Sequence, residues 1–385
     1  MQNNNHKLGD IVLSITVCIQ QLLLVMQLLL GENIFWGPEM ASRFRLVFSG
    51  VSVVFALFWI LKRRAFEFIL SYISIGILFL FTMIVFPDST KYIQDEGVKF
   101  TCLTCIPIFL STISIRNLRI LKNVFLIVSI LTTFIGILYG ILILNGLIFQ
   151  NDYSMSYGYA LMLPVMYLFY RRKPIYVLLA VAGLVCVAVN GNRGAFIIIL
   201  IFLLWFYSKE IVRNKSFSLI FVFGLLFFLY YNLPSILSFL SDNSLHSRTL
   251  ERMISNQLVE SEARENMYII GISKIWLSPI AGYGLFGDRF FYEIYVHNIV
   301  LEIIIDFGIP LGFVLIGYLL YKTILRLRKI KEDERDFFVL ITLGSILPLM
   351  ASSSYLIDFR FFMFLGFLFR KPLNNTIKTQ LSYRL

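Results

Sequence analysis

The chain has 385 residues, of which 58% are hydrophobic and 16% aromatic, with 38 Phe and 20 Tyr. Only 15% are charged, against about 25% in a soluble domain, and the mean hydropathy is +0.79. So few charges cannot cover that apolar surface in water, which excludes soluble globular, collagenous and disordered classes.

The composition describes a polytopic membrane protein. The net charge of +11 comes from 34 Lys+Arg against 23 Asp+Glu. In such a chain the surplus reads as cytoplasmic loops obeying the positive-inside bias, not as nucleic-acid binding. Cys18, Cys102, Cys105 and Cys186 all lie in apolar runs. Cys102 and Cys105 form a C-x-x-C pair without a second pair or a nearby His, so small buried side chains explain them better than a metal or redox site. The polar start, MQNNNHKLGD, lacks a small-residue cleavage site after the first apolar run. That run is expected to be a retained anchor.

A bilayer core takes about 20 apolar residues per helix. Twelve runs qualify, at about 11–31, 44–61, 65–86, 98–115, 123–145, 155–170, 175–190, 195–207, 217–237, 297–321, 337–354 and 356–369. The eighth and twelfth are short. The expected fold is all-α, one transmembrane domain over 1–385 with about twelve spans and a single large outer loop.

The connections after runs 2, 4, 6, 8 and 10, with Lys7 and the C-terminal tail, hold 23 basic residues, and the opposite side holds 11. The basic set sits in short loops, where the rule counts most. Both termini are therefore expected in the cytoplasm, and the long loop 238–296 outside it. Within that loop, Ser261 suits a helix cap, Glu262 and Glu265 suit a first turn, and Pro279 ends the helix. Ile269, Ile272 and Trp276 share one face, as in a helix lying on the membrane or over the bundle mouth.

Three places carry candidate chemistry. The turn VNGNRGAF (189–196) puts Arg193 at the outer boundary. It either snorkels to lipid phosphate or aims a guanidinium fork at a bound phosphate. AGYGLFG (281–287) contains G-x-G-x-x-G, but no strand precedes it, so a dinucleotide fold is excluded. It reads as a flexible turn, or as backbone amides approaching a diphosphate. His297-Asn298 opens run 10, and Asn298, Glu302 and Asp306 follow on one helix face. Acids inside a span face the bundle interior or a water-filled cavity. Gly308 and Pro310 suit a kink just beyond. A metal held by His297 and these acids lacks evident further ligands.

These pieces, in this order, resemble the bacterial O-antigen polymerase and O-antigen ligase superfamily. NRGAF (192–196) is similar to its S-R-G-A turn, with Asn192 for Ser. The stretch 264–287 resembles its Arg…Trp…Asn-Pro…Gly-x-Gly segment, with Ser278 for Asn. HNIVLEIIIDFGIPLG (297–312) resembles its His-Asn…Leu-Glu…Gly segment. The ligases' His-[Asn/Ser/Gln]-x₉-Gly pattern is met by His297, Asn298 and Gly308, although Leu311 displaces its later small residue before Gly312. The N-terminal half matches only as a run of spans.

The resemblance implies a metal-independent glycosyltransferase of the multispanning GT-C type in the bacterial inner membrane, with no cofactor. Its donor is a glycan on undecaprenyl diphosphate. A polymerase moves the chain onto a new lipid-linked repeat unit, making O-antigen or capsule, and a ligase moves it to lipid A–core. His297 is then the catalytic base. Arg193 and Arg264 bind the diphosphate, Asn298 or Glu302 orients the histidine ring, and Arg248 and Arg252 are further substrate-binding candidates. Membrane lipid and chain-length-regulator and flippase proteins are the implied partners, with no nucleic acid. The alternative from another class is a lipid-linked oligosaccharide flippase or transporter. Such a protein usually shows related halves with matched polar breaks, whereas the polar residues here gather at one face and in one loop.

Overall fold

The computed structural model describes residues 2–32, 35–145, 147, 156–190, 193–213 and 262–370. Among these there is no strand. The helices are α1 (Gln2–Leu30), α2 (Pro38–Val85), α3 (Pro87–Ser114), α4 (Leu118–Leu144), α5 (Ser156–Tyr170), α6 (Pro174–Val189), α7 (Arg193–Arg213), α8 (Glu262–Leu277), α9 (Gly287–Tyr292), α10 (Ile299–Lys329), α11 (Glu332–Leu349) and α12 (Phe359–Phe369). Helices occupy eleven of the twelve expected runs, and the ninth, 217–237, lies outside the described residues. Among the described residues, five helices are long and apolar enough to cross a bilayer alone: α2, α3, α4, α10 and most of α1. The chain is thus an all-helical, multi-pass membrane protein.

The boundaries have local causes. Pro38 and Pro174 sit in the first turns of α2 and α6, where a missing N–H costs nothing. Asn117, Asn298 and Asp358 cap α4, α10 and α12 through their side chains. Arg326, Arg328 and Lys329 close α10, complementing its C-terminal dipole. At 48 residues, α2 extends about 72 Å if straight, more than two bilayer cores of about 30 Å. It breaks at Arg64 (φ −147°, ψ 42°), inside the KRR connection expected between runs 2 and 3. α3 begins eleven residues before the expected run, and its Ile93–Cys105 portion is wound as a π-helix.

Two expectations need correction. Runs 11 and 12 were expected to reach 354 and to start at 356, but α11 ends at Leu349 and α12 starts at Phe359. In the intervening 350–358 strap, which is irregular, Ser352 and Ser353 meet Tyr295, Ser354 donates to Glu302, and Asp358 caps α12. His297 does not start its helix either. It precedes the Asn298 cap with a left-handed backbone, φ +58°.

α5 is the centre of the bundle. Every residue from Tyr157 to Phe169 is buried, as befits a helix apolar all round. It packs against α1, α4, α6, α7 and α11. Aromatic edges close one end, with Phe337 meeting Phe125, Tyr167 and Phe367 at centroid distances of 5.9, 5.8 and 5.5 Å. Such pairs add about 0.5–1.5 kcal/mol beyond area burial.

The described residues show two chemically distinct ends. At one end Asp10 pairs with Arg63 at 2.5 Å and accepts from the backbone N–H of Arg116 and Asn117. Arg370 donates there to the carbonyls of Ile115 and Arg116. The N-terminal helix, two basic connections and the end of α12 therefore meet. The other end holds the glycine-rich loop, His297 and the 350–358 strap.

Both side chains of the Asp10–Arg63 pair are buried. Asp10→Ala strands a buried guanidinium and should cost about 3–5 kcal/mol. It is read as a lowered unfolding midpoint in detergent. The double variant with Arg63→Met should recover most of that loss.

Candidate active site

The site is built on a broken helix. Gly308 in α10 has φ +75° and ψ 171°, which frees the neighbouring backbone groups from helical pairing. Ile309 N–H donates to Pro279 O at 2.7 Å, and the carbonyls of Ile305 and Asp306 accept from Tyr283 and Gly284 at 2.8 and 3.0 Å. Segment 279–284 is thereby bonded along the break. The approach needs residues without Cβ: one on Gly308 would lie 2.2 Å from the Ile280 carbonyl, and one on Gly282 (φ +65°) 2.6 Å from the Asp306 carbonyl.

This corrects the reading of the glycine motif as a flexible turn. Its amides are committed within the protein, because Gly287 N–H also meets the Asp306 carboxylate at 3.2 Å. A diphosphate would have to displace those bonds. The kink expected beyond the acidic stripe falls within the helix, and it is the joint on which the loop is mounted.

Below the break lies a buried ion cluster centred on Arg289, whose residue is 0% exposed. One guanidinium nitrogen donates to Asp288 at 2.7 Å and to Glu302 at 2.9 Å. Another reaches Glu96 on α3 at 3.3 Å. Glu302 also accepts from the Ser354 hydroxyl and, at 3.2 Å, from Tyr355 N–H. The Tyr355 hydroxyl donates to Asp306 at 2.6 Å. Burial alone would pull the Arg289 guanidinium down, but Asp288, Glu302 and Glu96 outweigh it and hold its pKa above the ordinary arginine value. Four elements are joined here: α3, the loop with α9, α10 and the strap.

His297 stands at the rim of this cluster and is partly exposed. Its ring lies edge-on to Tyr295, with centroids 4.4 Å apart. Val296 N–H is fixed by the Asp288 carboxylate at 2.9 Å. The Asn298 oxygen caps α10 through Val300 and Leu301 N–H at 3.0 and 3.3 Å. Phe286, Glu293, His297 and Ser353 all have positive φ. Strained backbone of this kind collects where surrounding structure holds a constellation in place.

The expected residues divide as follows. Glu302 faces the interior, as an acid in a span should, but it is fully buried and its oxygens hold Arg289, Ser354 and Tyr355. Asn298 has a capping role. Arg193 opens α7, where neighbouring Gly194 packs on the Tyr159 hydroxyl. Tyr159 O in turn accepts from Arg360 at 3.0 Å, and Arg360 is forked onto Asp358. Arg264 lies in the first turn of α8, which packs on α10. Its apolar face, including Ile269, Ile272 and Trp276, is exposed while Ile275 is buried, as on a helix over the bundle mouth with one side toward lipid. The side chains of Arg193 and Arg264 lie outside the described part of the structure, as do Arg248 and Arg252 altogether. The helices bearing Arg193 and Arg264 start at the end of the bundle that holds His297.

Sequence reasoning missed Arg289, Glu96, Ser354 and Tyr355. Arg289 counted only as one outer basic residue, and its signal was the adjacent Asp288 in an apolar, aromatic stretch. Among the described residues no group of three or more His, Cys, Asp and Glu is arranged to hold a metal ion.

Helices long and apolar enough to span a bilayer, with a polar constellation at one end mounted on a broken helix, describe a multi-pass membrane protein. The family model described as O-antigen ligase matches residues 177–316, so this part of the chain is similar to O-antigen ligases. The matched stretch contains Arg193, Arg264, Arg289, His297 and Glu302, whereas Glu96, Ser354 and Tyr355 fall beyond it. No curated protein and no solved structure matches the chain.

Replacing Arg289 by Met leaves Asp288 and Glu302 buried without their cation. The expected cost is about 3–5 kcal/mol, measured as a drop in the unfolding midpoint or in folded yield. An unchanged midpoint would show that these carboxylates do not need Arg289. Gly308→Ala should destabilise through the clash with the Ile280 carbonyl, whereas Gly317→Ala, which meets nothing within 4 Å, should be tolerated in the same assay.

Proposed function

We propose that this protein is a polysaccharide polymerase. It transfers a glycan from undecaprenyl diphosphate to a lipid-linked repeat unit on the outer face of the bacterial inner membrane. The observation that carries the reading is the family match over the stretch that contains Arg193, Arg264 and His297. The bundle has about twelve spans, with both termini and the Asp10–Arg63 end in the cytoplasm. The constellation around His297 then faces outward, where the lipid-linked donor is presented.

In the proposed reaction the acceptor hydroxyl oxygen attacks the anomeric carbon of the donor. A new glycosidic bond forms and the bond to the diphosphate breaks, its electron pair leaving with undecaprenyl diphosphate. His297 takes the acceptor proton. An ordinary histidine titrates near 6.5 and so is largely neutral at physiological pH, and such a base supplies about 10²–10⁴-fold in rate. Arg193 and Arg264 stabilise the charge that grows on the diphosphate. Arg248 and Arg252, in the long loop, are the further candidates for holding donor or acceptor. No step requires a metal or cofactor.

The ligase reading is supported by the description of the matching family and by His297, Asn298 and Gly308 at the ligase spacing. The displaced Leu311 favours the polymerase. A deletion strain separates them. Single repeat units on lipid A–core indicate a polymerase, whereas long chains retained on undecaprenyl diphosphate indicate a ligase.

Arg193→Lys and Arg264→Lys should each lose most chain extension at normal expression, because an ammonium does not replace a bidentate fork. Full chain length with both lysines would sink the phosphate role and return Arg193 to snorkelling. For the orientation, cysteines placed at Ile280 and Glu332 should label from opposite sides of intact cells, with Glu332→Cys inaccessible from outside.

A further inference from the structure

His297 has a left-handed backbone between two anchored neighbours. Val296 is fixed through Asp288 and Asn298 by its cap, so the main chain around the histidine is set. The direction of the imidazole is a separate matter, settled by what its ring packs on. Tyr295 supplies that surface at 4.4 Å, with the planes 70° apart.

Tyr295 is itself held from two sides. The Arg289 guanidinium carbon lies 5.7 Å from its ring centroid, and Arg289 is immobilised by Asp288, Glu302 and Glu96. On the other side the phenol lies against the Ser352 hydroxyl and the Ser353 backbone. Those serines belong to the strap, which Glu302 clamps through Ser354 and Tyr355, and which the Asp358–Arg360 fork ties to Tyr159 on α5. Arg360 thereby connects the strap to the helix on which the start of α7, with Arg193, rests.

We infer that Tyr295 is a positioning residue that aims the His297 imidazole at the acceptor hydroxyl, and that the 350–358 strap holds Tyr295 in register with the α7 end of the site. This rests on His297 being the base proposed above. Physically, a ring fixed between a buried guanidinium and a serine pair offers the imidazole one packed rotamer. Loss of that surface leaves the base present but misdirected, and displacement of a catalytic group by about 1 Å is enough for losses near 10²-fold. Nothing in Tyr295 takes part in proton transfer.

The test uses the full chain in liposomes, with lipid-linked oligosaccharide extracted from a strain lacking the protein as substrate. Tyr295→Leu keeps bulk but removes the ring, Tyr295→Phe keeps the ring, and His297→Ala serves as reference. The expected result is a kcat loss of about 10²-fold for Tyr295→Leu with KM nearly unchanged, and recovery of all but a several-fold loss in Tyr295→Phe, which keeps the ring but not the phenol's hold on the serines. The acid limb of the kcat–pH profile, which reports the base in the bound complex, should shift in Tyr295→Leu and not in Tyr295→Phe. A merely structural tyrosine would lower folded yield while leaving kcat per folded molecule and the pH limb as they were. Ser352→Ala, which only loosens the phenol, gives a second measure and should lower kcat several-fold at constant KM. Normal kcat and an unmoved acid limb in both Tyr295→Leu and Ser352→Ala, alongside an inactive His297→Ala, would overturn this inference alone. Normal turnover by His297→Ala would overturn the base assignment and the inference with it.

Discussion

One buried guanidinium organises the His297 end of this protein. A charge removed from water is tolerable only where partners replace its hydration, and Arg289 finds them on three separate elements. Asp288 is its own neighbour in α9, Glu302 lies on α10, and Glu96 comes from α3 in the N-terminal half. The same carboxylates reach further. Asp288 secures Val296, and Glu302 secures the strap at Ser354 and Tyr355. Remove the cation and each acid loses its reason to be there. Long-range order at this end is therefore set by electrostatic necessity, while the opposite end follows the same logic through Asp10 and Arg63.

Much of the scaffold was legible because membrane helices obey one dominant rule. Apolar length located nearly every described helix, and the basic connections correctly grouped 62–64, 116–122 and the region of Arg370 at one end. The acidic stripe was legible too, since Glu302 and Asp306 lie four residues apart and point inward. What their burial meant was not. Periodicity shows which face an acid takes, but a partner distant in sequence is invisible, so the Arg289–Glu96 pair left no local trace. The strap escaped for a related reason. SSSYLID sits between two apolar runs, and hydropathy averaged over a window smooths a short polar interruption into its flanks. The glycines were noticed as a motif, but their purpose lay in a backbone 20 or more residues away that has to pass within contact distance.

The broken helix and the strap together explain how a loop can be precise without a soluble domain to support it. Lipid-exposed irregular backbone is not tolerated at membrane depth, whereas irregular backbone buried in protein is. Here the unpaired carbonyls of α10 are satisfied by the glycine-rich loop, and the polar strap is satisfied by α10. Each irregular piece supplies the bonds another lacks.

α2 stands apart from this mutual support. Its most apolar window is only 11% buried within the protein, although the helix runs long enough for two crossings and bends at Arg64. Most of its solvation thus comes from hydrocarbon chains rather than from neighbouring helices. Its placement is then governed by bilayer thickness in a way that α5, wrapped on all sides, is not. At its end, Thr82 and Phe86 brace the glycine-rich loop: the Thr82 hydroxyl meets Leu285 N–H at 3.4 Å, and a Cβ on Gly284 would touch Phe86 at 2.5 Å. The lipid that surrounds the protein therefore has a mechanical route, through one peripheral broken helix, to the loop that precedes His297.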